Sequence, residues 1–240
     1  MTNPPVDDTE IARLFRHGSV ATVTNWLNQR GYRNAFITGL QVVNPRLRMA
    51  GRARTIRFVP TRPDLADLWP DREANPHRKA VEHIGAGDVL VADVGGNDEG
   101  GVYGDIMTAR LQARGAAGLV VDGAVRDVWQ MRDIDLPVYT RHVNAAAIQR
   151  AVLAVEMDGI ITCKGVAVRP GDWVVGDPDG VVVVPASLAA EAAQYGADHE
   201  DLETYLRERV LGGAPLHEAY PPNEAVRDAY RARYPGRPVA

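Results

Sequence analysis

At 240 residues, 45% hydrophobic and 24% charged, the chain has enough apolar material for a compact core, and its composition excludes a disordered or fibrous protein. A net charge of −4, from 27 basic and 31 acidic side chains with no basic run, argues against nucleic acid or an anionic membrane as partner. Cys163 is the single cysteine, which excludes an intrachain disulfide, a zinc ribbon and a CxxC redox pair.

Scarcity excludes more. Ser19 and Ser187 are the only serines and neither lies in a GxSxG elbow. The six histidines show no HxH or HExxH spacing, so a histidine-rich zinc site is not expected. Of the two lysines, Lys79 and Lys164, the second sits in a strand-turn context with nothing nearby to activate it for a Schiff base. The polar, acidic N-terminus has no apolar signal core, and no stretch approaches the roughly 18 apolar residues of a membrane span. A cytoplasmic location is expected.

In chain order, residues 8–31 read as helix, with Ile11, Leu14 and Phe15 on one stripe, a break near Gly18, and Val23, Trp26 and Leu27 on a second. Residues 51–60 alternate as a strand. Residues 61–78, with three prolines and many charges, read as an irregular insertion, and 80–84 as a short helix. Then come a buried strand at 88–93, a glycine loop at 95–101, a helix at 106–114 stopped by Gly115, and a buried strand at 118–122. A short strand at 137–139 and strands at 161–168, 172–175 and 180–185 follow, joined by Pro-Gly-Asp and Asp-Pro-Asp-Gly turns. Ser187 is placed to cap a long final helix carrying Leu202, Leu206 and Val210 on one face. From Gly212 onward, prolines suggest an extended arm of the kind that packs on a neighbouring subunit. The expected fold is α/β with a mixed sheet, in a single domain over 1–240 whose core spans about 18–212.

Three charged residues stand out. Asp105 lies in Gly104-Asp105-Ile106-Met107, and Arg126-Asp127 follow the strand at 118–122. Right-handed βαβ units open consecutive strand ends on one rim, where ligands of α/β sheets bind. The helix beginning near Asp105 offers free backbone N–H groups to a carboxylate. Carboxylates without histidine or thiolate favour a hard cation, Mg²⁺ or Mn²⁺. An Arg-Asp pair is nevertheless a solvated surface feature in most proteins, and spacing alone goes no further.

At these residues the chain resembles the class II pyruvate aldolases that cleave 4-hydroxy-4-methyl-2-oxoglutarate and 4-carboxy-4-hydroxy-2-oxoadipate, a family that includes the regulator of ribonuclease E activity A. A second block agrees: Gly165-Val166, then Arg169-Pro170-Gly171-Asp172, then Gly176-Asp177-Pro178-Asp179-Gly180 and the valines to Pro185. The likeness spans about residues 18–212. It implies a layered β/β/α fold of the swivelling type and a metal-dependent lyase acting on a small 2-oxo acid, with oxaloacetate decarboxylation through the same enolate.

The resemblance further implies roles. Asp127 is the metal ligand, Arg126 faces the oxygen that becomes the enolate, and backbone groups of Gly104, Asp105, Ile106 and Met107 hold the pyruvyl carboxylate. Asp105 orients metal-bound water. A glutamate from the C-terminal helix of an adjacent subunit in a homotrimer or homohexamer completes the site; Glu203 is the first choice and Glu200 the second. The plainer alternative for Glu203 is a surface pair with Arg207. Departures from the family pattern are Thr24-Asn25-Trp26-Leu27, the long segments at 61–79 and 95–103, and the acids Asp98 and Glu99. The competing class is a regulatory binding protein without chemistry. A methyltransferase is not expected, because no G-x-G loop opens directly onto a helix.

Overall fold

The long strand β3 (Met49–Pro60) organises the molecule, because it pairs on both edges along its length. In this computed structural model, residues 7–65, 68, 71, 73–148 and 151–239 are described. On one edge β3 runs parallel to β4 (Asp88–Asp93), then β6 (Gly118–Val125) and β7 (Val138–Val143) continue the parallel run. On the other edge β3 is shared. Its first half pairs antiparallel with β11 (Trp173–Asp177) and its second half with β8 (Val152–Met157). β11 forms a hairpin with β12 (Gly180–Val184), and the short β1 (Phe36–Ile37) and β2 (Gln41–Val42) finish opposite ends of the sheet.

Why the middle strands are continuously apolar follows from what covers them. Along β4, Leu90 and Ala92 face a core that includes Ala80, Val81 and Leu111, from α3 (Pro76–Glu82) and α4 (Asp105–Ala113). Val89 and Val91 face a second core, roofed by the hairpin of β9 (Ile161–Cys163) and β10 (Val166–Val168). A strand covered on both faces has no solvent side to mark with polar residues. The layering is therefore helix, sheet and hairpin, the mixed α/β architecture expected.

A third core joins β11 and β12 to α1 (Asp8–His17), α2 (Val20–Gln29) and α6 (Ala189–Leu211). The break expected near Gly18 is real. Asp7 and Ser19 cap α1 and α2 by accepting from the amides of Glu10 and Thr22, and a Cβ at Gly18 would lie 2.8 Å from the Gly196 backbone of α6.

Several local expectations give way. Residues 161–168 are two strands, with Lys164 at φ 46° in the left-handed turn between them. β7 runs past Tyr139 to Val143, and β8 carries too weak an alternation to be read from sequence. The short helix starts at Pro76, because Asn75 caps it and proline suits its first turn. Ser187 lies in a 3₁₀ turn, and α6 begins beyond it without a side-chain cap. Part of the 61–79 insertion lies outside the described residues.

The tail also departs from an extended arm. It forms α7 (Leu216–Ala219) and α8 (Glu224–Arg233), and α8 folds back on α6 of its own chain. Tyr230 is fully buried there, 5.6 Å from the Tyr205 ring and 5.2 Å from Tyr234. Deleting a buried aromatic costs about 3–5 kcal/mol, more than a ten-residue helix supplies alone. Tyr230→Ala is therefore expected to undock α8 and speed native-state tryptic cleavage at Arg231 and Arg233, while far-UV circular dichroism of the sheet holds. Unchanged cleavage would show that this seam does not hold the tail.

Candidate active site

The three charged residues converge because a short strand takes over a vacated lane. β4 pairs with β6 only from Gly118 to Asp122, and β7 occupies the opposite edge. The freed stretch of β6 is taken by β5 (Gly101–Tyr103), which pairs in parallel with Ala124 and Val125. The Arg126 amide donates to the Tyr103 carbonyl at 2.9 Å, so Gly104-Asp105 and Arg126-Asp127 leave the sheet side by side. The sequence placed the loop and the helix but not this strand.

Beyond Tyr103 the chain enters α4 through Gly104, a cap residue with no side chain to occupy the first amides. The Gly104 carbonyl is taken by the Thr108 amide and hydroxyl, at 3.0 and 2.8 Å, which seats the first turn. Asp105 accepts from the Ile106 amide at 2.8 Å through Oδ1. The helix start thus presents backbone donors and a positive dipole end to an anion.

Opposite, Asp127 adopts φ 57° and ψ 32°, left-handed values that aspartate tolerates better than most residues. The turn brings its carboxylate back over the strand end, where Oδ2 lies 3.2 Å from Arg126 Nε. Both side chains are partly solvated, so the pair contributes about 0–1 kcal/mol. Stability does not explain it. A Cβ on Gly104 would intrude on Asp127 Oδ2 and approach Arg126 Cγ and Nε at 3.3 Å. Ile106 and Trp129, the latter in α5 (Val128–Met131), flank the site and are 76% and 77% exposed.

The donor set suits a hard divalent cation. Asp127 offers one carboxylate at the turn, with Asp105 at the neighbouring helix start, and among the described residues no three His, Cys, Asp or Glu converge. Mg²⁺ is ordinarily held by one or two carboxylates, with water and substrate oxygens completing its octahedron.

Other expected residues lie elsewhere. Glu203 and Glu200 are on α6, which packs on α1, α2 and α7. Glu203 lies 3.3 Å from His199, and it is Glu200 that pairs with Arg207 at 3.2 Å. Neither has a hydrogen bond or ion pair to Arg126 or Asp127 among the described residues. Glu203 lines a groove of about 240 Å³ with Leu206, Val210, Leu216 and Tyr220. Lys164 donates its amide to the buried Asp122 at 2.9 Å. Asp98 and Glu99 are exposed, in a loop tied by Asn144 Nδ2 to the Asp98 carbonyl at 2.6 Å. Trp26 is buried in α2 under Arg30, whose guanidinium lies 3.6 Å from the ring centroid.

His77 was not singled out by sequence, though Asn75-Pro76 marks the helix start that places it. Its ring lies between Phe58 and Tyr103, at 5.2 and 4.8 Å. Burial, with a smaller push from Arg78, lowers its pKa from 6.5 to about 4 against an opposing hydrogen bond to Val102.

A mixed sheet whose parallel strands end beside a helix N-terminus and an Arg-Asp turn defines an α/β protein with a candidate anion site on one rim. The RraA-like family model, described as Aldolase/RraA, matches residues 20–183, and the chain belongs to that family. It is 32% identical over 176 residues to a Halalkalibacterium halodurans protein with the provisional name 4-hydroxy-4-methyl-2-oxoglutarate aldolase, covering 72% of this chain and 78% of that one. A protein of the same provisional name from Alkalilimnicola ehrlichii is 36% identical over 154 residues, covering 64% and 91%. Among solved structures, Streptomyces coelicolor RraAS2, titled an unusual member of the RNase ES inhibitor RraA protein family, superposes with a TM-score of 0.72 at 32% identity, covering 85% and 99%. Of these three relatives, the first two carry the aldolase name and the third the RraA name.

Two outcomes follow from the geometry. Gly104→Ala is expected to fold at a cost on the order of 1 kcal/mol for the poorer helix cap, because only side chains must move, and to displace the Asp127 carboxylate; a crystal structure with Asp127 in place would contradict this. The depressed pKa of His77 means that folding favours its neutral form. That contribution is complete above pH 6.5 and fades as the pH falls toward 4. Urea midpoints across this range should fall more steeply for the native chain than for His77→Asn, and parallel declines would remove the neutral-imidazole assignment.

Proposed function

We propose that the chain is a divalent-metal-dependent lyase that cleaves a 4-hydroxy-2-oxo acid to pyruvate and decarboxylates oxaloacetate. The observation that supports this most is the meeting of Arg126, Asp127 and the open start of α4 at adjacent strand ends. Family membership, with relatives named as aldolases, points the same way.

The chemistry asks for three things of these residues. The amides of Gly104 to Met107 bind the C1 carboxylate and fix the 2-oxo acid against the rim. Arg126 faces the C2 oxygen and stabilises the negative charge that collects there. Asp127 would hold Mg²⁺ or Mn²⁺ and Asp105 would orient the water beside it; when bound, the cation's contribution is to polarise the C2 carbonyl and acidify water. Water oriented by Asp105 takes the proton of the C4 hydroxyl as the C3–C4 bond breaks. Its electron pair passes to C3 and the C2 oxygen as pyruvate enolate, while C4 becomes a carbonyl. The same water returns a proton to C3, which releases pyruvate. In oxaloacetate the bond to the departing CO₂ supplies the same electron pair.

The site is also proposed to be completed across a subunit interface, in a trimer or hexamer, by Glu203 or, second, Glu200. The surface groove beside Glu203 and the bare apolar flanks Ile106 and Trp129 support that reading. A second function, regulatory binding without chemistry, is favoured by the likeness to the Streptomyces protein.

Pyruvate release from a panel of 4-hydroxy-2-oxo acids and oxaloacetate decides between them. Activity is expected to vanish with EDTA and return with Mg²⁺ or Mn²⁺, and Asp127→Ala or Arg126→Ala should each lower kcat/KM by at least 100-fold, on the order of 3 kcal/mol of transition-state stabilisation. Inactivity on every substrate with metal present would favour the regulator. Sedimentation should give a trimer or larger, with Glu203→Gln impairing turnover but not assembly; an active monomer would end the shared-site reading.

A further inference from the structure

We propose that Arg141 is a positioning residue for the anion cradle: held by the buried Asp122 carboxylate, its guanidinium fixes the glycine loop that delivers β5, and with it Gly104–Met107, beside Arg126. This rests on the reading of the α4 start as the carboxylate site.

The loop from β4 to β5 is tied at both ends and once between. At its start the Gly95 amide donates to Asp93 Oδ1 at 3.1 Å and the Gly96 amide to the Asp122 carbonyl at 2.9 Å. Asn144 Nδ2 holds the Asp98 carbonyl in the middle, and the Gly101 amide meets the Ala146 carbonyl at 2.9 Å at the far end. Where the loop lands decides the site. A Cβ on Gly101 would lie 2.8 Å from Arg126 Cβ, so β5 begins in contact with the residue assigned to face the substrate.

Arg141 is the cation at the start of this loop. β7 pairs with β6 at Thr140 and again at His142, and Arg141 stands at the irregularity between them. Its Nη1 donates to Asp122 Oδ1 at 3.1 Å. The Asp122 side chain is only 7% exposed, and its other oxygen accepts from the Lys164 amide at 2.9 Å, so the anchor is itself fixed. The guanidinium lies against the loop: a Cβ on Gly96 would overlap Nη1 and sit 2.8 Å from Cζ. Gly96 holds φ 75°, a left-handed value that glycine adopts freely. The chain turns over the cation at a residue with no side chain to hold it off.

Stability alone does not account for the pair. Apolar residues of like volume often replace a desolvated ion pair without loss, and any acceptor at position 122 would serve the Lys164 amide. Neither would put a flat cation beneath Gly96, pinned from below by a carboxylate that cannot swing.

The test compares Arg141→Lys, whose ammonium keeps a single bond to Asp122, with the paired variant Arg141→Met/Asp122→Asn. The pair removes the cation beneath Gly96, leaves no unpaired buried carboxylate, and retains an acceptor for Lys164. Hydrogen exchange of the peptide covering residues 95–108 should quicken at least fivefold in the paired variant and stay near native in Arg141→Lys. KM should rise about three- to tenfold in the paired variant with kcat changed less, because a cradle that grips ground state and transition state alike is read in KM. The rise should be equal for a 4-hydroxy-2-oxo acid with a second carboxylate and for one without, and Arg141→Lys should recover both. If the paired variant does not fold, Arg141→Gln carries the comparison. A rise confined to the substrate with two carboxylates would overturn the proposal, since Arg141 would then bind substrate directly. Native exchange and KM in the paired variant, or equal perturbation in Arg141→Lys, would overturn it too. A native chain that releases no pyruvate would instead sink the lyase reading, and exchange alone would then decide the role of Arg141.

Discussion

One backbone hydrogen bond, from the Arg126 amide to the Tyr103 carbonyl, sets the geometry on which the site depends. It forms only because β4 stops pairing at Asp122 and β5 takes the next stretch of the same edge of β6. Two segments more than twenty residues apart are thereby held in parallel register, and each turns into a helix within two residues. The anion-binding turn and the Arg-Asp turn are products of one pairing. A slip by one residue would reverse which side chains face the cores on either side, so burial of Val102, Tyr103, Ala124 and Val125 protects the register.

The local energetics run against stability at this spot. Asp127 holds a left-handed backbone at a cost on the order of 1–3 kcal/mol, and its exposed pair with Arg126 does not offset that. The α4 cap is glycine where Ser, Asp or Asn would bond the first amides and strengthen the helix by about 1 kcal/mol. His77 keeps a nitrogen buried without a partner. Each choice leaves a polar group available or aimed, and each is tolerated because the sheet beneath is covered on both faces. Strain gathered on one rim of a well-packed scaffold is consistent with the proposed site.

How much of this could be read from the chain depends on the range of the contact involved. The buried strands at 88–93 and 118–122 and the helix stopped by Gly115 were legible because their signals are local: continuous apolar runs and a left-handed glycine at φ 81°. Asp105, Arg126 and Asp127 were legible as a spacing, and the parallel crossover rule brought them to one rim. β5 was not, since Gly101-Val102-Tyr103 is too short to carry a period and exists only through β6. Residues 161–168 read as one strand because Lys164-Gly165 lacks the usual Asn-Gly turn signal. The tail misled for another reason. Its prolines mark the joints around α7 and α8, while the tyrosines that dock α8 on α6 are spread over 29 positions, from Tyr205 to Tyr234.

That folded tail changes how the C-terminal helix should be understood. An arm reaching for a neighbour would leave α6 half bare, whereas α8 covers the face carrying Leu202, Tyr205 and Leu206. The groove beside Glu203 lies where α6 meets α7, and its wall includes Val210, Leu216 and Tyr220, all partly open to solvent. α8 thus stiffens one side of α6 while α7 shapes the other. A rigid helix presenting one carboxylate among apolar neighbours is better suited to deliver that group to a fixed point than a flexible arm is, because less conformational freedom is lost on docking. The proposed lyase site makes the matching demand: its charged groups sit on a short, partly solvated rim, and water must be displaced there before a guanidinium can act at full strength on a developing enolate.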